Sequence, residues 1–198
     1  MECIRVQKRD FTLKAKKLRR NGMIPGSVFG KSLPEAISLQ IDEVAARKLL
    51  TTKREGSRLN LDLDGQIIPV QIKEKNVNII NNEIIEISFQ ALKADEKANS
   101  VLYIVLKNTD KITDSVETQL LEIPYAAYPK DMIDTITIDV DGKPLGTTVT
   151  VGDIPELVNG KIDLQVDKDE IVYRIVEKKR VEAEDEEEET EETEPAAI

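Results

Sequence analysis

Residues 59–72 read LNLDLDGQIIPVQI, and this stretch decides the kind of fold that the chain adopts. Its three leucines alternate with polar residues, which is the period of a β-strand with one buried face. Asp64-Gly65 follows, and a second apolar run then continues to Ile72. An Asp-Gly pair between two such runs is a strong signal for a β-hairpin. The stretch therefore predicts two strands joined by a tight turn.

Towards the amino end, the pattern predicts short elements. Strands are expected at 3–6, 27–30 and 37–41, with a turn at Ile24-Pro25-Gly26. Two helices are expected as well. Asp10 is a plausible N-cap for the first, which ends at Asn21-Gly22, and Asp42 for the second, which runs to Leu50. The apolar sides of the two helices are predicted to be Phe11, Ala15 and Leu18, and Val44, Ala45 and Leu49.

Towards the carboxyl end, strands predominate. They are expected at 84–89, 101–106, 133–140, 162–166 and 171–176, and Asp141-Gly142 resembles a second hairpin turn. The stretch 93–100 lacks apolar periodicity and is predicted to be a linker. Strands this short and this regularly spaced favour an antiparallel barrel or sandwich. The fold class is thus mainly β with a few short helices.

Charge divides the chain into three parts. Residues 1–90 carry 16 Lys and Arg against 11 Asp and Glu, whereas residues 91–181 carry 12 against 17. From Glu182 onwards there are ten acidic residues and no basic one. Because salt screens each charge beyond about 8–10 Å, a basic first domain attracts polyanions even in a chain whose net charge is −10. The acidic tail is expected to be disordered, as a solubilising extension or as a competitor of RNA.

Several classes of chemistry are excluded or disfavoured by composition. Histidine is absent, and a single cysteine, Cys3, cannot build a zinc cluster or an internal disulfide. No apolar stretch is long enough to span a bilayer, and the first residues do not form a signal peptide, so a cytoplasmic protein without a cofactor is expected. A hydrolase or lyase that uses carboxylates stays open as an alternative, although no motif singles out a pair.

A cluster of cations is the main functional signal. Lys14, Lys16, Lys17, Arg19 and Arg20 lie within seven residues of the first predicted helix. Each can neutralise a phosphate and release counterions, and Arg9 lies nearby. Phe29 is placed to stack on a base or to pack along an RNA backbone. An ordinary solvated helix face, with Phe29 in the core, explains the same residues, so composition alone indicates only a candidate polyanion binder.

Residues 18–30, LRRNGMIPGSVFG, resemble the signature of bacterial large-subunit ribosomal protein twenty-five, a family that includes the general stress protein Ctc. The likeness continues through the 59–72 hairpin. In the second half, Ile123-Pro124, Leu145-Gly146 and Asp153-Ile154 resemble the carboxyl-terminal domain of the longer members. The resemblance covers nearly all of the chain that is expected to fold.

This resemblance implies a fold, a partner and a set of contact residues. It implies a small N-terminal β-barrel at 1–91 that binds the loop E region of 5S rRNA, a linker at 92–100, a C-terminal antiparallel β domain at 101–178, and a tail at 179–198. The large ribosomal subunit is the implied partner, with neighbouring ribosomal proteins on the second domain, no membrane and no small-molecule substrate. The predicted RNA-binding residues are Arg9, Lys14, Lys16, Lys17, Arg19, Arg20, Phe29, Asn76 and Ser88.

Four positions depart from the family pattern. Phe29 replaces a Tyr, Asn76 replaces a Gln, and a His-x-Asp-Phe motif is replaced by Glu86-Ile87-Ser88-Phe89. Glu86 turns a negative charge towards phosphate in this alignment. A divergent stress-type paralogue with weak 5S rRNA affinity, which docks to the ribosome or to another protein, is therefore the alternative to a 5S rRNA clamp.

Overall fold

The structure is a computed structural model that describes residues 3–112, 114–158 and 160–177. Its first half is a closed β-barrel with strand order β1-β3-β2-β6-β5-β4. The barrel closes because β1 pairs with β4 in parallel, and β2 also pairs with β6 in parallel. Its strands are β1 (Cys3–Lys8), β2 (Met23–Phe29), β3 (Ile37–Asp42), β4 (Arg58–Leu63), β5 (Gln66–Asn78) and β6 (Glu83–Ala91).

The hairpin predicted at 59–72 is confirmed as β4 and β5. Asp64 and Gly65 both have positive φ, 53° and 89°, as a two-residue turn that matches the strand twist requires. Leu59, Leu61 and Leu63 point into the barrel and are at most 4% exposed. Alternation thus places one face of β4 in a core built from Ile, Leu and Val.

The first helix, α1 (Ala15–Arg20), is shorter than predicted, and the N-cap assignment of Asp10 is wrong. The Asp10 carboxylate instead accepts hydrogen bonds from the backbone N–H and the hydroxyl of Thr12, at 2.8 and 2.7 Å. This local turn competes with helix formation, because the short Asp10 side chain accepts the backbone N–H of Thr12 without any helical turn. Phe11 consequently lies outside the helix and is 76% exposed, rather than on its apolar side.

The second helix, α2 (Glu43–Thr52), confirms Asp42 as an N-cap. The Asp42 carboxylate accepts hydrogen bonds from the backbone N–H groups of Val44 and Ala45, at 3.1 and 3.2 Å. The predicted core side is wrong at Val44, which is 75% exposed, whereas Ala46 and Leu49 are fully buried. Leu49 lies in the barrel core and Ala45 packs against it as predicted, so only Val44 falls outside the buried stripe.

The predicted turn at 24–26 is wrong, because β2 runs straight through Pro25-Gly26. A methyl group built on Gly26 would lie 2.8 Å from the carbonyl oxygen of Ile87 on the neighbouring strand. Glycine is therefore needed here for close strand approach rather than for a turn.

The second half contains two small sheets around a separate core, with strand orders β10-β7-β9-β12 and β11-β13-β8. This confirms the fold class, although β7 and β10 pair in parallel. A third helix, α3 (Pro155–Val158), is one turn long. The strands are β7 (Ala98–Lys107), β8 (Ser115–Thr118), β9 (Glu122–Ala127), β10 (Thr135–Asp139), β11 (Thr148–Thr150), β12 (Ile162–Leu164) and β13 (Ile171–Val176).

Two expectations for this half need correction, and a third falls outside the described residues. Asp141-Gly142 is not a hairpin turn, because β10 pairs with β7 and the next strand, β11, belongs to the other sheet. β7 begins at Ala98, so the end of the predicted linker is strand. The predicted acidic tail, 179–198, lies outside the described residues.

Polar contacts join the two halves. The Arg58 guanidinium donates hydrogen bonds to the backbone carbonyls of Pro129 and Met132, the second at 3.1 Å. The buried Ser100 hydroxyl donates to the Gly56 carbonyl at 3.1 Å. Arg58 is the first residue of β4, and Gly56 lies just before that strand.

Candidate nucleic-acid interface

Helix α1 packs on the outer surface of the barrel, against β2. Leu18 is 2% exposed, yet it belongs to neither hydrophobic core, because it is buried between the helix and the outside of the barrel. With about 100° per residue, Lys16, Lys17 and Arg20 fall within an arc of about 100° that is turned away from Leu18. The helix thus presents three cations on one exposed face.

These cations are not neutralised by neighbouring carboxylates. Lys16, Lys17 and Arg20 form no ion pair within the described ranges, and the same holds for Lys14 at the start of the helix. An exposed cation without an ion pair stays available to a phosphate, although the charge of Lys16 also acts on the Glu83 carboxylate. The cluster is therefore chemically suited to a polyanion.

Arg19 differs from the other cations of the helix. Its side chain is 20% exposed, and its Nε donates to Oε1 of Glu83, at the start of β6, over 2.7 Å. That hydrogen bond, with a contribution from the charge of Lys16, holds the pKa of Glu83 below its ordinary value. Arg19 therefore fixes the helix to β6, and its charge is largely balanced.

A polar strand face lies beside the helix on β2, β6 and β5. Ser27 pairs with Ser88 across the parallel strands, and their hydroxyl oxygens are 3.3 Å apart. On the other side of Ser88, β5 contributes Glu74. The row combines hydroxyl groups, which can donate or accept hydrogen bonds, with a carboxylate, which only accepts.

Neighbouring rows of the same face hold the other predicted contact residues. Phe29 pairs with Gln90, and its ring is 38% exposed at the end of β2, outside the barrel core. Asn76 pairs with Glu86, and both are exposed. The face therefore brings Phe29, Ser88 and Asn76 together, but it carries the carboxylates of Glu74 and Glu86 as well.

Arg9 lies two strands away from this face, after the end of β1. Its backbone N–H donates to the carbonyl of Ser38 at 3.0 Å, and its guanidinium lies 5.7 Å from the centre of the Phe11 ring. The apolar periodicity predicts a core position for Phe11, so it does not reveal that the ring is exposed. Only the turn signal of Asp10 and Thr12 indicates that this ring lies outside a helix.

Other kinds of site find no support in the part of the chain that the structure describes. It contains no group of three or more His, Cys, Asp or Glu side chains arranged to hold a metal ion. Its helices are also all too short or too polar to cross a membrane. What the described residues do present is a two-part β protein with an exposed cationic helix beside a polar strand face.

Comparison with known proteins places this architecture in a family. The profile of the Ribosomal L25p family matches residues 4–89, and that of the Ribosomal protein TL5, C-terminal domain, matches residues 103–179. The large ribosomal subunit protein bL25 of Finegoldia magna is 30% identical over 167 residues, which cover 83% of this chain and 78% of the relative. The bL25 of Akkermansia muciniphila is 29% identical over 174 residues, covering 86% and 85%.

The chain therefore belongs to the bL25 family of large ribosomal subunit proteins, in the long form with both domains. The resemblance expected from residues 18–30 is confirmed. The members of this family are structural proteins of the ribosome and not enzymes, so the hydrolase or lyase that uses carboxylates is set aside.

Proposed function

We propose that this chain binds 5S rRNA within the large ribosomal subunit, through α1 and the strand face of its barrel. It acts as a structural clamp in the cytoplasm, catalyses no reaction and needs no cofactor. The second domain, which belongs to the same long form, contacts neighbouring ribosomal proteins.

One observation carries this proposal: the exposed arc of Lys16, Lys17 and Arg20. The arc lies within the segment, 4–89, that matches the Ribosomal L25p family. It also lies beside a strand face with hydroxyl, amide and aromatic groups. Cations that face solvent without partners supply the salt-dependent part of RNA binding, and the strand face supplies the part that depends on RNA shape.

The helix and the strand face recognise different features of the RNA. The helix cations contact phosphates and set the orientation of the barrel. An A-form duplex presents a wide, shallow minor groove with 2′-hydroxyl groups. The hydroxyls of Ser27 and Ser88 and the amide of Asn76 are suited to such groups, because each can both donate and accept hydrogen bonds. Phe29 packs at the edge of the groove.

The direct experiment is a gel-shift titration of the full chain with 5S rRNA at several salt concentrations. A control RNA of equal length and different fold controls for general polyanion binding. Three phosphate contacts predict that the logarithm of the affinity falls with the logarithm of salt with a slope of about −2 to −3. Absence of binding, or equal binding to the control RNA, contradicts the proposal.

A second candidate function is favoured by the carboxylates on the strand face. Glu74 and Glu86 repel phosphate, and Arg19 is already engaged by Glu83. These features suit a divergent paralogue that has the same fold, binds 5S rRNA weakly and docks to the ribosome or to another protein.

The substitution Glu86→His distinguishes the two candidates. A weak paralogue gains affinity on the order of 10-fold, because an exposed repulsive charge is removed and a donor is added at that position. A clamp that already binds tightly changes little. Glu156→His, at an exposed position of α3 in the second domain, is the matched control, and an equal gain from it would show that net charge alone is responsible.

A further inference from the structure

A cavity of 650 Å³ opens on the barrel surface between the end of β1 and the segment that leads into β3. Two cations and one carboxylate contribute to its wall, together with an aromatic ring, a proline and a serine. These residues are Lys8, Arg9, Glu35, Phe11, Pro34 and Ser38. The lining is thus basic on balance and apolar in part.

Arg9 contributes an unsatisfied donor to this wall. Its Nε is buried and has no hydrogen-bond partner among the described residues. The guanidinium lies 5.7 Å from the centre of the Phe11 ring, which is within cation–π range. A buried donor without a partner is costly, and an acceptor brought by a ligand removes that cost.

Phe11 offers its ring to solvent on the side that Arg9 does not occupy. The ring is 76% exposed, although burial of an aromatic side chain would be favourable. The Asp10 turn holds it there, through the two hydrogen bonds that Thr12 donates to the Asp10 carboxylate. These hydrogen bonds stabilise the ionised carboxylate and thereby lower the pKa of Asp10. An aromatic ring held in this way is a platform for stacking.

The cavity is continuous with the proposed RNA surface. The backbone N–H of Arg9 donates to the carbonyl of Ser38, which lines the cavity. Ser38 pairs with Ser27 of β2, and Ser27 pairs with Ser88. A nucleic acid that lies on the strand face therefore passes within reach of the cavity.

We propose that this cavity binds a single unpaired nucleotide of the RNA that the barrel contacts. The base stacks on the open face of Phe11, and Arg9 and Lys8 contact the adjoining phosphate or the base edge. The inference rests on the proposed function and adds a subsite to it. A nucleotide fits better than a protein side chain, because the wall joins a stacking surface to cations.

The experiment uses the full chain with two probes. The first is 5S rRNA, and the second is a short RNA duplex that carries one bulged 2-aminopurine, compared with the same duplex without the bulge. The wild-type protein is expected to prefer the bulged duplex on the order of 10-fold and to quench the 2-aminopurine emission, since base–aromatic stacking contributes at this scale. Phe11→Ala removes the preference and the quenching, and Phe11→Tyr retains both.

A matched control is available in the second domain. Tyr128 also lies beside cations, with Lys97 and Lys130 at 5.6 and 5.8 Å from its ring centre, and Tyr128→Ala is expected to change neither readout. If the wild-type protein fails to bind 5S rRNA, the proposed function fails. If it binds 5S rRNA but treats the two duplexes alike, or if Phe11→Ala weakens both duplexes equally, only the nucleotide subsite is overturned.

Discussion

The barrel and the second domain are built from the same kind of interior and differ in their exteriors. Both cores consist mainly of Ile, Leu and Val on short strands. The barrel half, residues 1–90, has a net charge of +5, whereas residues 91–181 have −5. Because the interiors are alike, the reason for proposing the barrel as the RNA-binding half lies in its surface and not in its packing.

The cations themselves are arranged differently in the two regions. In the second domain, Lys97, Lys111 and Arg174 are paired with Asp163, Asp141 and Glu117. The hydrogen bond to Asp141 also raises the pKa of Lys111. On the barrel, the cations of the exposed helix arc have no such partners in the described part of the chain. Free cations also occur among the described residues of the second domain, at Lys107, Lys143 and Lys161, but these lie far apart in the sequence on separate elements. What distinguishes the proposed interface is thus the clustering of free cations on one helix face, rather than a free cation as such.

The largest expected effect comes from removing the helix arc. The triple substitution Lys16→Ala, Lys17→Ala and Arg20→Ala is expected to weaken 5S rRNA binding on the order of 100-fold. It should also reduce the slope of log affinity against log salt by the share of about three phosphate contacts. A gel-shift titration measures both. The matched control, Lys107→Ala with Lys143→Ala and Lys161→Ala, removes the same charge from exposed positions of the second domain. Equal losses from the two triples would refute the comparison.

A smaller effect is expected in stability. Gly26→Ala places a methyl group 2.8 Å from the Ile87 carbonyl oxygen and should lower the free energy of unfolding by about 1–3 kcal/mol through strain between β2 and β6. Gly152→Ala in the second domain meets the Lys168 carbonyl at 3.2 Å and should cost less. Denaturant unfolding of the two variants checks the order. A Gly26→Ala variant as stable as the wild type would show that the close approach of the strands is not needed.

The smallest expected effect concerns the bond between Arg19 and Glu83. The pKa of Glu83 is lowered from its ordinary 4.5 in the folded protein, so this pair contributes stability above pH 4.5 and loses it as the pH falls through the lowered pKa. Glu83→Gln should therefore melt slightly below the wild type at pH 7, and the difference should vanish in acid. Thermal melts from pH 7 to pH 3 measure it. A difference that grew towards acid would contradict this sign.

Local signals predicted much of the fold. The alternation at 59–72 with Asp64-Gly65, and the Asp42 cap, each act within a few residues and are confirmed. Pro25-Gly26 resembles a turn, but glycine is needed there because β6 approaches β2 closely. Asp141-Gly142 resembles a hairpin turn, but β10 and β11 belong to different sheets. Neither cause is visible in a local window.

The candidate site follows the same rule. The run of cations on α1 is local and was predicted, whereas the pairing of Arg19 joins residues 64 positions apart and was not. The helical spacing of Phe11 to Ala15 and Leu18 predicts a core position, but the spacing arises by chance, because the helix begins only at Ala15. The roles of the α1 cations, Arg19 and Phe11 in RNA binding stay predictions.

The central claim is that the barrel surface around α1, and not the second domain, meets 5S rRNA. Amide hydrogen exchange of the full chain, with and without 5S rRNA, tests it most directly. Slower exchange is expected in 15–29 and 83–90 when RNA is bound, with 98–177 unchanged. Slower exchange confined to the strands of the second domain, with α1 and β2 unaffected, would contradict it.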